Sequence, residues 1–188
     1  MLPLEIARKL SADNPDIRQQ VDANRGLTKN IELLIPGLRG YRQSEDIRVA
    51  DSLLRNQVAD KLDQGRANLE NLRKQMAGAG DFSNLTQVGS LIFQVQQFSG
   101  EVRHAQQGYA GFAATIKVNQ DKLNKLYEYD YDFVAAAVQF IDATSRTVYD
   151  PTSPASIISQ VSAMSSALTD TKRKWAVRME AIENILVS

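Results

Sequence analysis

Apolar residues along this chain recur in steps of three and four, the spacing that lines one face of an α-helix. The pattern is longest over residues 44–76. There Ile47, Ala50, Leu54, Val58, Leu62, Leu69, Leu72 and Met76 form one stripe, and Arg and Asp occupy the remaining faces. Gly65 falls on the same stripe, where a missing side chain lets a second helix cross closely. Residues 84–107 continue the rhythm with Leu91, Val95, Phe98, Val102 and Ala105, extended by Tyr109. Their other faces carry Gln87, Gln94, Gln96, Gln97, Gln106 and Gln107 with serines, in place of charge. A helix poor in charge all round is covered on several sides. This one is therefore read either as the central helix of a bundle or as a partner-binding face.

Residues 119–149 predict a fourth helix with Asn119 as N-cap and a stripe of Leu123, Leu126, Phe133, Ala137, Val138 and Ile141. Ser153 as N-cap and Pro154 at the first helical position start a last helix. Its stripe is Ile157, Val161, Met164, Leu168, Trp175, Met179, Ile182 and Leu186. Residues 16–34 predict the first long helix, stopped by Pro36-Gly37, and residues 1–14 leave room for a short separate one. No strand-like alternation is sustained. The expectation is an all-α fold: one domain over residues 1–188, an elongated antiparallel bundle of four to five long helices, coiled-coil-like in its spacing. Short connections favour antiparallel neighbours. They gather the turns at residues 36–42 and 108–118 at one pole with the C-terminus, and those at 77–81 and 150–154 at the other.

Charge changes this picture little. The chain balances 22 Lys+Arg against 22 Asp+Glu, leaving no global field for nucleic acid or an anionic membrane. Only residues 119–150 lean one way, with six acids to three bases. The absence of cysteine excludes disulfides, thiolate nucleophiles and Cys-based zinc sites. The start, MLPLEIARKLSADNPD, lacks the pattern of a secretory signal. The longest apolar run, residues 133–138, is far short of the ~20 residues that span a bilayer. A soluble cytoplasmic protein is expected.

Candidate chemistry is sparse. Glu101 and His104 have the Glu-x-x-His spacing of carboxylate-bridged di-iron bundles, but those sites need two such pairs plus two further carboxylates, and this chain has one histidine. Glu128, Asp130 and Asp132 could offer oxygen ligands to a hard cation. Only Glu128 and Asp132 share a helix face, so a solvated acidic face or partners for arginine is the simpler reading. The Gly78-Ala79-Gly80 and Gly108-Tyr109-Ala110-Gly111 pairs lack the Lys-Ser/Thr of a phosphate loop and read as helix corners. No catalytic constellation can be placed, so no enzymatic activity, metal or cofactor is expected. What remains is the shared pole, which collects Arg39, Tyr41, Arg42, Tyr109, Phe112, Tyr127, Glu128, Asp130 and Tyr131. Arginines beside carboxylates and tyrosines form either an intramolecular clasp or a recognition surface.

The PGLRGYR turn, the GYAGF corner and the LYEYD segment are similar to a family of uncharacterised bacterial and archaeal helical proteins. That family carries Pro-Gly-x-Arg-Gly-Tyr early and Gly-Tyr-x-Gly-Phe followed by Leu-Tyr-Glu-Tyr-Asp later. The matching positions are Pro36, Gly37, Arg39, Gly40 and Tyr41, then Gly108, Tyr109, Gly111 and Phe112, then Leu126 to Asp130. The resemblance covers most of residues 30–140. No activity is assigned to the family, and the resemblance implies a scaffold or adaptor working with membrane-organising proteins of the stomatin type. The functional expectation is a non-enzymatic helical scaffold or adaptor that binds another protein or itself. A peripheral membrane-surface helical protein is the alternative, and a metal or small-ligand binding bundle is a third class.

Overall fold

A computed structural model describes residues 47–105 and 120–187. They form four helices: α1 (Ile47–Gly78), α2 (Leu85–His104), α3 (Gln120–Arg146) and α4 (Pro154–Val187). No strand occurs among the described residues. At ~1.5 Å rise per residue, the 32 residues of α1 and the 34 of α4 each extend about 50 Å, so the bundle is elongated. The helices expected over residues 16–34 and within residues 1–14 lie outside the described residues.

The two breaks on the described chain have clear local causes. Gly80 takes a positive φ of 75°, a conformation that glycine adopts without a steric penalty. Around it, the Asp81 amide donates to Met76 O at 3.0 Å and the Gly80 amide to Ala77 O at 3.1 Å. These two bonds satisfy the last carbonyls of α1 in a Schellman motif. Before α4, Asp150 Oδ1 accepts from the Thr152 amide at 2.9 Å and its hydroxyl at 2.6 Å, and Pro154 then opens the helix. The two turns meet, since the Tyr149 hydroxyl donates to Asp81 Oδ2 at 3.3 Å.

Packing proceeds as two antiparallel hairpins, α1–α2 and α3–α4, laid side by side. Around the bundle the order is α1, α2, α4, α3, so α1 has α2 and α3 as neighbours and lies diagonal to α4. The α2–α4 contact is the thinnest of the four. One apolar cluster fills the centre, including Leu54, Val58, Leu62, Val95, Phe98, Phe133, Phe140 and Met164. Gly65 permits the α1–α3 approach: a β-carbon there would lie 2.7 Å from Phe140 Cε1.

Two expectations are corrected. On α3 Phe140 is fully buried together with the expected Phe133, while Val138 and Ile141 pack against the core only partly buried. Both neighbouring registers of that apolar segment are hydrophobic, and the space left by Gly65 selects Phe140. On α2, Phe93 is 66% exposed, and Gln96 and Gln97 are exposed as well. The outer face of α2 is therefore uncovered, and the helix packs through its other face on α1 and, more thinly, on α4.

Candidate functional site

The pole where α1 and α3 begin and α2 and α4 end holds a buried ionic network. Arg178 of α4 has no exposure. Its Nε donates to Asp130 Oδ1 at 2.6 Å on α3, and its Nη2 reaches across the diagonal to Asp51 Oδ1 at 2.7 Å on α1. Asp51 also accepts from Arg55 Nε at 2.9 Å, one turn further along α1. Arg55 Nη1 then donates to Ala105 O at 2.9 Å and lies at 3.3 Å and 3.4 Å from Arg103 O and Val102 O. The last turn of a helix leaves carbonyls without internal partners and carries a partial negative charge, so a cation there is doubly favoured. All four helices are thus joined through two arginines and two aspartates.

Charges balance within this network, which makes its burial tolerable. Burial alone would lower the pKa of the Arg178 guanidinium. Attraction to Asp130 and Asp51, with the hydrogen bonds that Arg178 donates to both, outweighs burial and holds the pKa above its ordinary value. Arg178 also stacks on Trp175, its Cζ 5.6 Å from the ring centroid, while Trp175 packs against Phe133 at 5.1 Å. Arg178 Nη1 is buried without a hydrogen-bond acceptor. Each aspartate is already committed to arginine, so the network fixes helix register and presents no open ligand set. Among the described residues, no group of three or more His, Asp or Glu side chains could hold a metal.

The residues singled out at this pole now divide. Asp130 is 1% exposed and forms an intramolecular clasp whose arginine is Arg178 of the last helix. Tyr127 and Tyr131 are half-buried against the core, and Glu128 is exposed. Asp132 lies outside the network, in an exposed pair with Lys174. Arg39, Tyr41, Arg42, Tyr109 and Phe112 lie outside the described residues. Glu101 and His104 belong to no cluster of three or more such side chains among the described residues. Glu101 Oε1 instead accepts from Trp175 Nε1 at 3.0 Å, and His104 is exposed.

Arg178, Asp51 and Arg55 were missed from the sequence, where no break in an apolar stripe marks them. The apolar stripe of α4 runs 157, 161, 164, 168, 175, 179 and 182 and skips only 171, the fully buried Thr171; Met179 keeps the repeat regular next to the fully buried Arg178. That of α3 skips 130 between Leu126 and Phe133, the place of Asp130. A polar residue at a core position of an otherwise regular repeat marks a buried partner across the bundle.

Two further features lie on α2. A cleft of about 280 Å³ opens along the thin α2–α4 contact, lined by Gln97, Phe98, Glu101, Lys172, Trp175 and Met179. Beside it, the outer face of α2 runs through Thr86, Ser90, Phe93, Gln97 and Gly100, and residues 85–100 contain no charged side chain. No helix among the described residues is long and apolar enough to cross a membrane. No protein-family model matches the chain, and neither does any curated protein or solved structure.

Proposed function

We propose that this chain is a non-enzymatic helical scaffold or adaptor that binds another protein through the outer face of α2. The observation that carries this reading is Phe93, 66% exposed at the middle of a face uncharged over residues 85–100. Centres of protein interfaces are depleted of charge and enriched in aromatics. Glutamine and serine around such a residue keep the free face soluble while adding little desolvation cost when it is covered. The rigid four-helix frame, locked by the Arg178 network, suits presentation of a fixed surface. Membrane-organising partners, implied by the resemblance, belong to the same proposal.

The alternative, direct association with a membrane surface, draws on Phe82 and Val148, exposed by 69% and 70% at the opposite pole. Asp81 and Asp150 flank them, which opposes docking on anionic lipid. The test is cross-linked affinity capture from the cell of origin, with quantitative mass spectrometry of wild type and Phe93→Glu. Proteins captured by wild type and depleted several-fold by Phe93→Glu, with unchanged helicity, are the expected result. Identical capture by both would overturn the reading, and flotation of the wild-type chain with liposomes would move it to the membrane alternative.

A further inference from the structure

We infer that the cleft between α2 and α4 is the socket for one apolar anchor side chain of a partner polypeptide, with a carboxylate of that polypeptide meeting Lys172. The inference rests on the protein-binding reading and assigns that partner its chemistry. Size comes first. About 280 Å³ is at or below the lower end of small-molecule sites, which span roughly 300–1,000 Å³. It suits a single large side chain. The floor is apolar: Phe98 and Trp175 lie beneath it, almost wholly covered, and Met179 is half-buried beside them. The bond from Trp175 Nε1 to Glu101 satisfies the indole's polar group, so its ring remains as apolar lining.

Charge supplies the second argument. Lys172, Arg173 and Lys174 are consecutive on α4. Arg173 pairs with Asp170 and Lys174 with Asp132. Lys172 has no carboxylate partner among the described residues, and its Nζ stands over the Phe98 ring, 5.9 Å from the centroid. A half-buried ammonium on an apolar floor gains from an incoming acid, because a charge-assisted hydrogen bond is stronger than a neutral one. Glu101, on the α2 side, disfavours a second acid near itself and so directs that acid to the Lys172 end. Continuity is the third argument. Gln97 belongs both to the cleft wall and to the uncharged outer face of α2, so a polypeptide lying on that face runs past the mouth of the cleft.

Trp175 is the sole tryptophan, which makes the cleft its own reporter. The probes are two synthetic 15-residue amphipathic peptides without tryptophan, each with one phenylalanine anchor, differing only in Glu or Lys four residues after it. Titration into the full chain is expected to shift Trp175 emission saturably with the Glu peptide and about tenfold more weakly with the Lys peptide, the scale of a single well-placed charge contact. Lys172→Glu is expected to reverse that order while leaving the thermal melt unchanged. Equal response to both peptides, no response at millimolar concentration, or an order unaffected by Lys172→Glu overturns the socket. Those results leave Phe93-dependent capture untouched, so the socket can fail alone. Peptide selectivity that persists where capture is independent of Phe93 supports the socket and removes only the α2-face reading.

Discussion

The ring of Phe140 on α3 fills the space beside Gly65 on α1, so that a β-carbon on Gly65 would stand 2.7 Å from Phe140 Cε1. Phe140 is fully buried and has no room to step aside. Gly65→Ala is therefore expected to destabilise the fold. Overpacking costs about 1–3 kcal/mol, and the better helix propensity of alanine offsets at most about 1. Combining it with Phe140→Leu should recover part of the loss, because the smaller side chain makes room. Urea unfolding of the two single variants and the double measures this coupling. A Gly65→Ala protein more stable than wild type would show that the helices can separate freely.

Truncating Arg178 is expected to be the most damaging single change among the described residues. Arg178→Met leaves Asp130 buried without its arginine, and breaking a buried pair costs about 3–5 kcal/mol. Arg178→Met with Asp130→Leu removes both charges of the pair, and Asp51 retains Arg55. The double variant should be more stable than the single one. Chemical denaturation checks the order, and simple additivity of the two losses would contradict it.

At the opposite pole the expected effect depends on pH. The Thr152 hydroxyl, then its amide, hold the Asp150 carboxyl below its ordinary pKa of 3.8, against a smaller opposing effect of burial. A depressed folded-state pKa stabilises above the unfolded value and is lost as pH falls through the folded one. Thr152→Val should raise the Asp150 titration midpoint, followed by carboxyl chemical shift. It should lower the melting temperature slightly at neutral pH and leave it unchanged in strong acid. An unmoved midpoint would mean that the hydroxyl bond does not form in solution.

The Tyr149 phenol behaves in the opposite sense. Burial first, then the negative charge of Asp81 and the hydrogen bond to it, raise its pKa above 10.0. A raised folded pKa contributes stability that is complete below the unfolded value and disappears as pH rises through the folded one. Spectrophotometric titration should therefore show one tyrosine ionising late, absent from Tyr149→Phe. Replacement of Asp81 by Asn should bring that ionisation earlier.

Helix number, type and turn positions over the described residues were legible because they depend on apolar spacing and on Gly80, Pro151 and Pro154. Ala50, Leu54, Val58, Leu62, Leu69, Leu72 and Met76 are all buried as their spacing predicts. What periodicity could not supply was pairing across the bundle. Asp130 was visible as an unusual residue, but its arginine, 48 positions away, was not. Nor could composition tell whether the charge-poor α2 was covered, because exposure is set by neighbours that the local sequence does not name. Phe140 was missed for Val138 and Ile141 because the deciding feature, the gap at Gly65, lies on another helix.

Each hairpin contributes one buried, neutral ion pair to the network: Asp51 with Arg55 on α1, and Asp130 with Arg178 across α3 and α4. Asp51 and Arg55 are one helical turn apart, and Asp130 and Arg178 face each other within one hairpin, so both pairs can form before the two halves dock. The bond from Arg178 to Asp51 is different, because it exists only when the two preformed halves meet in step. Docking displaced by one helical turn, about 5.4 Å, would keep much of the greasy contact and leave Arg178 and Asp51 out of reach of each other. The buried charges therefore act as a proofreader of assembly, penalising a misaligned union that hydrophobic contact alone would accept.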